Sequence, residues 1–231
     1  MNIFAIADLH LSFNNNKPMD IFGEEWKDHE QKIANDWREK VKEDDLVLIP
    51  GDFSWATYLK DTYQDFEYLS KLPGKKLLLK GNHDYWWSTV SSMRKFLKDN
   101  NFSNIDFIYN NSYMYNNYII VGTRGWSATE EGDTEKMIKR EVARLELSFA
   151  DGIKNYGEDK EFIVCMHYPP MKEFLEVMKK YNVKLCLYGH LHGAQQQNVK
   201  EGVIEGVNLK MVSADYLNFN LANLEMCGII C

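Results

Sequence analysis

Five short apolar segments of the chain run directly into side chains of the kind that hold metal ions. The groups that follow them are Asp8/His10, Asp52, Asn82/His83, His167 and His190/His192. An apolar core does not accept such side chains without partners, because an unpaired buried polar group costs about 1–3 kcal/mol. Ligands bind at the carboxyl ends of strands in α/β sheets, so we expect the five groups to meet at one cleft.

Two of these groups contain a pair of residues separated by a single position. Asp8 and His10 form one pair, and His190 and His192 form the other. In an extended chain, residues two positions apart point to the same side. Each pair is therefore able to reach one ion.

The side chains at the strand ends provide three or four imidazoles, two carboxylates and an amide oxygen, but no thiolate. This donor set suits manganese, iron, zinc or nickel, and we favour manganese. Seven ligands are too many for one tetrahedral ion, whereas they suit two ions that share a bridging carboxylate. The predicted metal ligands are Asp8, His10, Asp52, Asn82, His167, His190 and His192.

The alternation of apolar runs with helical patterns predicts an α/β protein. The chain has 231 residues, and we expect them to form a single domain over 1–231. Strand, helix and strand follow one another through the first hundred residues, as in a parallel sheet with crossover connections. The predicted strands lie at about 3–7, 46–49, 77–79, 105–109, 112–115, 118–121, 161–166 and 184–188, with β hairpins after 196. The predicted helices lie at about 25–41, 58–72, 88–98, 133–153 and 171–181.

The composition and charge limit which binding partners and which cellular compartment we expect. The net charge is −7 and there is no basic run, which argues against long nucleic acids as the main partner. The N-terminus lacks the basic region of a signal peptide, and no apolar stretch approaches the ~20 residues of a membrane span. We therefore expect a cytoplasmic protein that is not bound to a membrane. The sequence gives no indication of its oligomeric state.

The four cysteines lack the spacing of a metal-binding finger. Cys165 and Cys186 lie in apolar strand-like runs, so we expect both to be buried and reduced. Cys227 and Cys231 lie near the C-terminus, and a disulfide between them is not expected in a reducing cytosol.

The ordered set of strand-end motifs resembles that of the calcineurin-like metallophosphoesterases. The matching motifs are Asp8-x-His10, Gly51-Asp52, Gly81-Asn82-His83-Asp84, His167 and Gly189-His190-x-His192. The resemblance implies a four-layer α/β/β/α sandwich of two mixed sheets flanked by helices. It also implies that Asp8, His10, Asp52 and His192 hold one ion, while Asp52, Asn82, His167 and His190 hold the other.

The same resemblance implies roles for two further residues. The chain also differs from the family at one position. His83 would contact the substrate and donate a proton to the leaving oxygen, and Asp84 would orient His83. Many family members carry an acidic residue or a glycine three positions after the second aspartate, where this chain has Trp55. This difference leaves the metal ligands intact but alters the expected shape of the substrate site.

By this resemblance we expect a metal-dependent phosphohydrolase that acts on small phosphate mono- or diesters. A hydroxide that bridges the two ions would attack phosphorus in line. One alternative is a non-catalytic scaffold of the same fold, although all the ligands and His83 are present. Another is a nuclease, which the acidic composition disfavours.

Several other residues leave two interpretations open. Arg124 follows a strand and lies between glycines, so it is either a phosphate clamp or a surface residue in an ion pair. Tyr85, Trp86, Trp87 and Trp126 are able to line a pocket, although core packing is favoured for at least two of them. The remaining histidine, His29, lies in a charged helical pattern and is expected to be solvated.

Overall fold

Two β-sheets packed face to face form the centre of the molecule. The computed structural model describes residues 1–15, 17–127 and 134–225. The strands are β1 Ile3–Ala5, β2 Leu46–Ile49, β3 Lys75–Leu78, β4 Ile105–Phe107, β5 Tyr113–Tyr115, β6 Tyr118–Thr123, β7 Glu161–Met166, β8 Val183–Tyr188, β9 Gly202–Ile204, β10 Val207–Met211 and β11 Ala222–Asn223. The α-helices are α1 His29–Lys40, α2 Tyr63–Ser70, α3 Val90–Asp99, α4 Thr134–Tyr156 and α5 Lys172–Met178.

Both sheets have parallel centres, with one antiparallel edge strand in the first sheet and two in the second. The first sheet has the order β11-β1-β2-β3-β4, in which β11 is antiparallel to β1 and the other pairs are parallel. The second has the order β5-β6-β7-β8-β10-β9, in which β5 and β9 are antiparallel to their neighbours. Parallel strands place their carboxyl ends at the same edge of a sheet. The topology therefore collects the residues that follow β1, β2 and β3, and those that follow β7 and β8.

Three apolar layers hold the sheets and helices together. Between the sheets lie alternate residues of the central strands, such as Leu48 of β2 and Ile163 of β7. The outer face of the first sheet packs against α1, α2 and α3, with Trp37 and Phe66 fully buried there. The outer face of the second sheet packs against α4 and α5. This arrangement confirms the predicted four-layer α/β/β/α sandwich of two mixed sheets.

The first four residues of the predicted helix 25–41 are not α-helical. The region 19–26 forms two short 3₁₀ helices, Met19–Phe22 and Glu24–Trp26, and α1 begins only after Asp28. Gly23 and Asp28 have positive φ angles of 154° and 53°, which a continuous right-handed helix does not allow. In the same way, a 3₁₀ turn at Leu59–Thr62 precedes α2.

His29 was expected to be solvated, and this prediction is wrong. Its side chain is buried, and its two ring nitrogens lie 3.1 Å from the Trp26 carbonyl oxygen and 3.0 Å from that of Leu9. The ring therefore ties the start of α1 to the loop that follows β1. The pattern of charges around His29 gave no sign of these backbone contacts.

Cys165 and Cys186 are buried and free, as expected. Cys227 and Cys231 lie outside the described residues. Within the described ranges, every helix is too short or too polar to cross a bilayer.

Candidate metal centre

The structure brings the seven predicted ligands together at one edge of the two sheets. The first sheet contributes the residues that follow β1, β2 and β3, and the second contributes those that follow β7 and β8. In chain order these are Asp8, His10, Asp52, Asn82, His167, His190 and His192. The site therefore spans the junction between the sheets.

Four of these residues have a left-handed backbone. The φ angles are 60° at Asp8, 46° at His10, 52° at Asp52 and 74° at His190. Positive φ is uncommon outside glycine, and such strained residues cluster at functional sites. The sharp turns they make at the strand ends point several side chains toward one small volume.

Two groups of potential ligand atoms share Asp8. Within the described chain, one group is Asp8, His10 and His192, and the other is Asp8, Asp52 and His167. His192 Nε2 lies 3.5 Å from Asp8 Oδ1, and His167 Nδ1 lies 3.8 Å from the same oxygen. The separation from His192 is long for a hydrogen bond but suits two atoms that share an ion. His167 Nδ1 faces a backbone carbonyl instead, so its ring offers Nε2 to the group.

Asp52 lies between the two groups. Its Oδ2 atom is 3.7 Å from His10 Nε2 and 3.6 Å from His167 Nε2. Its Oδ1 atom accepts a hydrogen bond of 2.8 Å from the backbone N–H of His83. One oxygen is thus fixed by the backbone, while the other faces imidazoles on both sides.

The Asn82 side chain joins the histidines of the second sheet. Its Oδ1 atom lies 2.6 Å from His167 Nε2 and 3.1 Å from His190 Nδ1. The other nitrogen of the His167 ring, Nδ1, lies 3.1 Å from the carbonyl oxygen of Pro50. The backbone N–H of His190 donates to both Asp8 oxygens, at 3.2 and 3.0 Å.

The electrostatics of the cluster fit divalent cations. Asp8 and Asp52 are buried, and within the described chain their ion pairs are all with histidines rather than with lysine or arginine. Burial raises the pKa of Asp52 well above its usual value, and the charges of Asp8 and Asp84 add to this effect. His10 Nδ1 is buried without a hydrogen-bond partner. Bound cations would compensate the carboxylates, so the donor set and its environment suit two such ions.

Two histidines of the cluster differ in their charge. Burial is the main reason that the pKa of His167 falls to about 3, so this imidazole is neutral and able to act as a ligand. For His192, burial opposes the charged form, but Asp8 and Asp215 raise the pKa to about 10. A metal ion that binds His192 therefore has to displace a proton.

Asp84 has contacts that differ from its expected role. Its carboxylate accepts backbone hydrogen bonds from Gly81, Asp52, Phe53 and Ser54, and one from the Trp86 indole. These bonds, of 2.7 to 3.2 Å, brace the loops that carry Asp52 and Asn82. Within the described chain the His83 ring donates no hydrogen bond to Asp84, and His83 Nδ1 is buried without a hydrogen-bond partner. The geometry gives Asp84 a role in the backbone of the site rather than in orienting His83.

A cavity of about 410 Å³ opens beside the cluster, and His10, His83 and His192 line it together with Trp26 and Trp55. Trp55 stacks on His10 with ring centres 4.7 Å apart and lies 4.4 Å from the His83 ring. The tryptophan that departs from the family pattern is thus part of the cavity wall.

The aromatic residues proposed for the pocket do not form its wall, although the Tyr85 ring lies edge-on to the His83 ring with centres 6.2 Å apart. Trp86 and Trp126 are buried, Trp87 packs against the helical side of the first sheet, and Tyr85 is exposed. These residues do not line the cavity beside His83. The two tryptophans that do, Trp26 and Trp55, follow loops whose course the local sequence does not specify.

Sequence reasoning missed Asp215. Its Oδ1 atom lies 2.8 Å from His192 Nδ1, and its Oδ2 atom accepts a bond of 2.9 Å from the Gln196 amide. A carboxylate on the far nitrogen of a metal-binding imidazole fixes the orientation of the ring. A signal was present, because the apolar strand β10 ends just before Asp215 and pairs with β8, the strand that precedes His192.

Arg124 lies apart from the cavity beside His83. Its backbone carbonyl accepts bonds from the N–H groups of His167 and Tyr168, at 3.2 and 3.1 Å. Its guanidinium lies 4.7 Å from the ring centre of Trp126, and its Nε atom is buried without a hydrogen-bond partner.

Comparison with known proteins identifies a family for the chain. The model of the family described as calcineurin-like phosphoesterase matches residues 1–194. A probable cyclic nucleotide phosphodiesterase of Coxiella burnetii is 24% identical over 173 residues, which are 64% of this chain and 60% of that protein. The gene 66 protein of Mycobacterium phage L5 is 30% identical over 83 residues, which are 36% of this chain and 40% of that protein.

Solved structures share the fold. A protein of unknown function from Aquifex aeolicus, AQ665, superposes with a TM-score of 0.55 at 18% identity and with 99% of both chains covered. The family match extends over all seven strand-end ligands and over most of the chain. The chain therefore belongs to the calcineurin-like phosphoesterase family.

Proposed function

We propose that the protein hydrolyses small phosphate mono- or diesters with two divalent ions held by the seven strand-end residues. The observation that carries this proposal is the position of Asp52 Oδ2, 3.7 Å from His10 and 3.6 Å from His167. This is the place that a bridging carboxylate would occupy. In such sites, two bound ions activate a water for attack on phosphorus and neutralise the phosphate oxygens. Manganese is favoured, with iron, zinc or nickel as alternatives.

His83 is proposed to act on the leaving group. Its ring lines the cavity beside the ligands and is partly exposed. Burial, followed by the charges of Lys17 and His190, lowers the pKa of His83 to about 4. The free ring is therefore neutral near pH 7 and stabilises the leaving oxygen as a hydrogen-bond donor. A bound phosphate dianion favours the charged ring and thus makes full proton donation easier.

The substitution His83→Asn tests this role. It should leave two ions bound while lowering kcat by roughly 10²–10⁴, the usual contribution of a general acid. An alkyl phosphate should lose more activity than a nitrophenyl phosphate, because a nitrophenolate leaves without protonation. The measurements are kcat, KM and metal content for both esters.

Equal losses for the two esters, mainly through KM, would show that His83 only positions the substrate. A wild-type protein that binds two ions but hydrolyses no ester in a panel with Mn, Fe, Zn, Ni and Mg would contradict the hydrolase itself. The panel should include cyclic nucleotides, because one relative is a probable cyclic nucleotide phosphodiesterase. It should also include phosphate monoesters, since the ligand set does not select between the two classes.

The scaffold and the nuclease remain weaker hypotheses. The ligands lie together in a buried cluster, which a non-catalytic scaffold does not need. The net charge of −7 disfavours a long nucleic acid as substrate. We propose a cytoplasmic location, which the free and buried Cys165 and Cys186 support.

A further inference from the structure

A second cavity, of about 160 Å³, lies at the same edge of the two sheets and has a cationic wall. Lys80 follows β3, Arg124 follows β6, and Arg140 and Arg144 come from one face of α4. The only carboxylate among the residues that line it, within the described chain, is Glu141. Four cationic side chains and one carboxylate thus line this cavity, in a protein whose net charge is −7.

The arginines from α4 are held in place by buried contacts. Glu141 Oε1 lies 3.0 Å from Arg140 Nη2 and 2.6 Å from Arg144 Nη1, and Glu141 is 1% exposed. Its Oε2 atom accepts a bond of 2.7 Å from the Thr123 hydroxyl. Arg144 also donates to the Tyr109 hydroxyl, at 3.1 Å. These contacts fix the two guanidinium groups in the cavity wall before any ligand binds.

The other two cations form no salt bridge in the described chain, although Asp84 and Glu141 attract Lys80 from beyond ion-pair distance. Lys80 makes no ion pair there, and the Nε atom of Arg124 is buried without a hydrogen-bond partner. Four cations brought together repel one another, and one carboxylate does not balance them. Arginine forks match phosphate and carboxylate oxygens in geometry as well as in charge. The cavity is therefore built to receive an anion.

This cavity is close to the metal centre. Lys80 lies two residues before Asn82, so their Cα atoms are at most about 7 Å apart. The carbonyl of Arg124 accepts a bond from the N–H of His167. A substrate that spans the two places would have its reacting phosphate at the metal ligands and a second group between Lys80 and Arg124.

We propose that this cavity binds a second anionic group of the substrate, a phosphate or a similar oxyanion, separate from the phosphate that is hydrolysed. The inference rests on the proposed hydrolase and narrows its substrates to phosphate esters that carry a further anionic group. A free inorganic anion has the same chemistry, so the test has to distinguish the two sources.

The test compares monophosphates and bisphosphates of linear diols with three, five and eight carbons, because the series covers several spacings. For at least one length, the metal-loaded wild-type protein should hydrolyse the bisphosphate with a kcat/KM roughly tenfold or more above that of the monophosphate. Lys80→Met and Arg124→Gln should each reduce that ratio toward the statistical factor of about two that two equivalent phosphates give. Neither substitution leaves a buried carboxylate without its partner.

Matched controls remove one charge elsewhere. Lys75→Met changes an exposed lysine at the start of the same strand, and Arg38→Gln changes an exposed arginine of α1. Both should keep the wild-type ratio. A ratio near two at all lengths in the wild-type protein, or a high ratio that survives both Lys80→Met and Arg124→Gln, would overturn the proposal.

Two further measurements, the effect of sulfate on turnover and the unfolding temperature, distinguish the remaining outcomes. If sulfate changes monophosphate turnover in the wild-type protein but not in Lys80→Met, while the ratio stays near two, the cavity binds a free anion and the proposal is wrong. If no ester is hydrolysed, the hydrolase fails. The inference then stands only if the bisphosphate raises the unfolding temperature of the wild-type protein more than that of Lys80→Met.

Discussion

At the scale of single residues, the site depends on two buried carboxylates, Asp8 and Asp52, which form no ion pair with lysine or arginine in the described chain. Asp52 is buried, and its Oδ2 atom faces imidazoles of both sheets. Its other oxygen, Oδ1, accepts a hydrogen bond from the backbone N–H of His83. Asp52 Oδ2 thus faces one imidazole of each sheet, as a bridging ligand would, while Asp8 belongs to both groups of candidate ligand atoms.

Replacement of this carboxylate should therefore affect both ions. In Asp52→Asn we expect the bound metal to fall from two ions per chain to less than one, and activity to fall by at least about 100-fold. Elemental analysis of metal-saturated protein, with kcat/KM in parallel, measures both. Asp44→Asn, at an exposed aspartate, is the control. Near wild-type metal content and activity in Asp52→Asn would show that Asp52 does not bridge.

Asp215 acts on the site through His192. Its carboxylate lies 2.8 Å from His192 Nδ1, outside the residues that the family model matches. Asp215→Asn should still bind two ions at saturation, but with an affinity for one of them that is about 10–100-fold lower. Titration against a competing chelator measures this affinity. Glu201→Gln, which alters a carboxylate in the hairpin region nearby, should keep it. Unchanged affinity in Asp215→Asn would remove Asp215 from the site.

The residue types at the strand ends were sufficient to predict which side chains meet at this edge, but not which residues support them. Strand, turn and ligand are adjacent in the chain, so local sequence carries that information. Asp84 braces the Asp52 loop across 30 or more positions, and Asp215 reaches His192 across 23. Such pairings depend on how the sheets and loops pack, which the local pattern does not contain.

At the scale of the elements, strands were easier to predict than helix starts. The run 161–166 is β7 as predicted, because a strand buried on both faces has a continuous apolar sequence. The start of α1 was predicted about four residues too early because the charged and apolar residues of 25–28 also fit a helix. The left-handed backbone at Asp28 ends that possibility, and the contacts of His29 with Trp26 and Leu9 hold the chain at this turn.

Strand β3 contains a buried lysine with a consequence for stability. Lys76 is 1% exposed, and its ammonium group donates to the carbonyl of Leu72. Burial lowers its pKa to about 7, despite the opposing charge of Glu43. Between pH 7 and about 10.5 the unfolded chain binds more protons at this residue than the folded one does. The stability contributed by this group therefore rises with pH across that window.

Lys76→Met should remove this pH dependence. At pH 6 the charged lysine destabilises the folded state fully, so the variant should be more stable than the wild type, by an amount on the order of 1–3 kcal/mol. The difference should shrink as the pH rises from 7 toward 10. Urea unfolding at pH 6, 8 and 9.5 measures it, with Lys75→Met at the exposed neighbour as the control. A difference that is independent of pH would show that Lys76 does not titrate in this range.

At the scale of the whole molecule, the metal centre is a junction between two sheets. The first sheet carries Asp8, His10, Asp52 and Asn82, and the second carries His167, His190 and His192. Apolar packing between the sheets holds them together below the site. At the edge itself, buried carboxylates face one another and the imidazoles, so bound cations add the attraction that this edge otherwise lacks.

Removal of metal should consequently lower the stability of the whole fold. An ion present at about 100 times its dissociation constant adds roughly 2.7 kcal/mol to the free energy of unfolding. For a domain of this size, that corresponds to a fall in Tm of roughly 5–10 °C per ion removed. Calorimetry of the wild-type protein before and after treatment with a chelator measures the change, and added manganese should restore the original Tm.

Asp52→Asn provides the control for this measurement, because a protein that has already lost its ions should show no further fall in Tm with chelator. A chelator effect of equal size in both proteins would mean that the stabilising ions bind elsewhere. An unchanged Tm in wild-type protein shown to bind two ions would mean that they bind the folded and unfolded chains equally. Since unfolding separates the ligands of the two sheets, we expect instead that the wild-type protein alone responds.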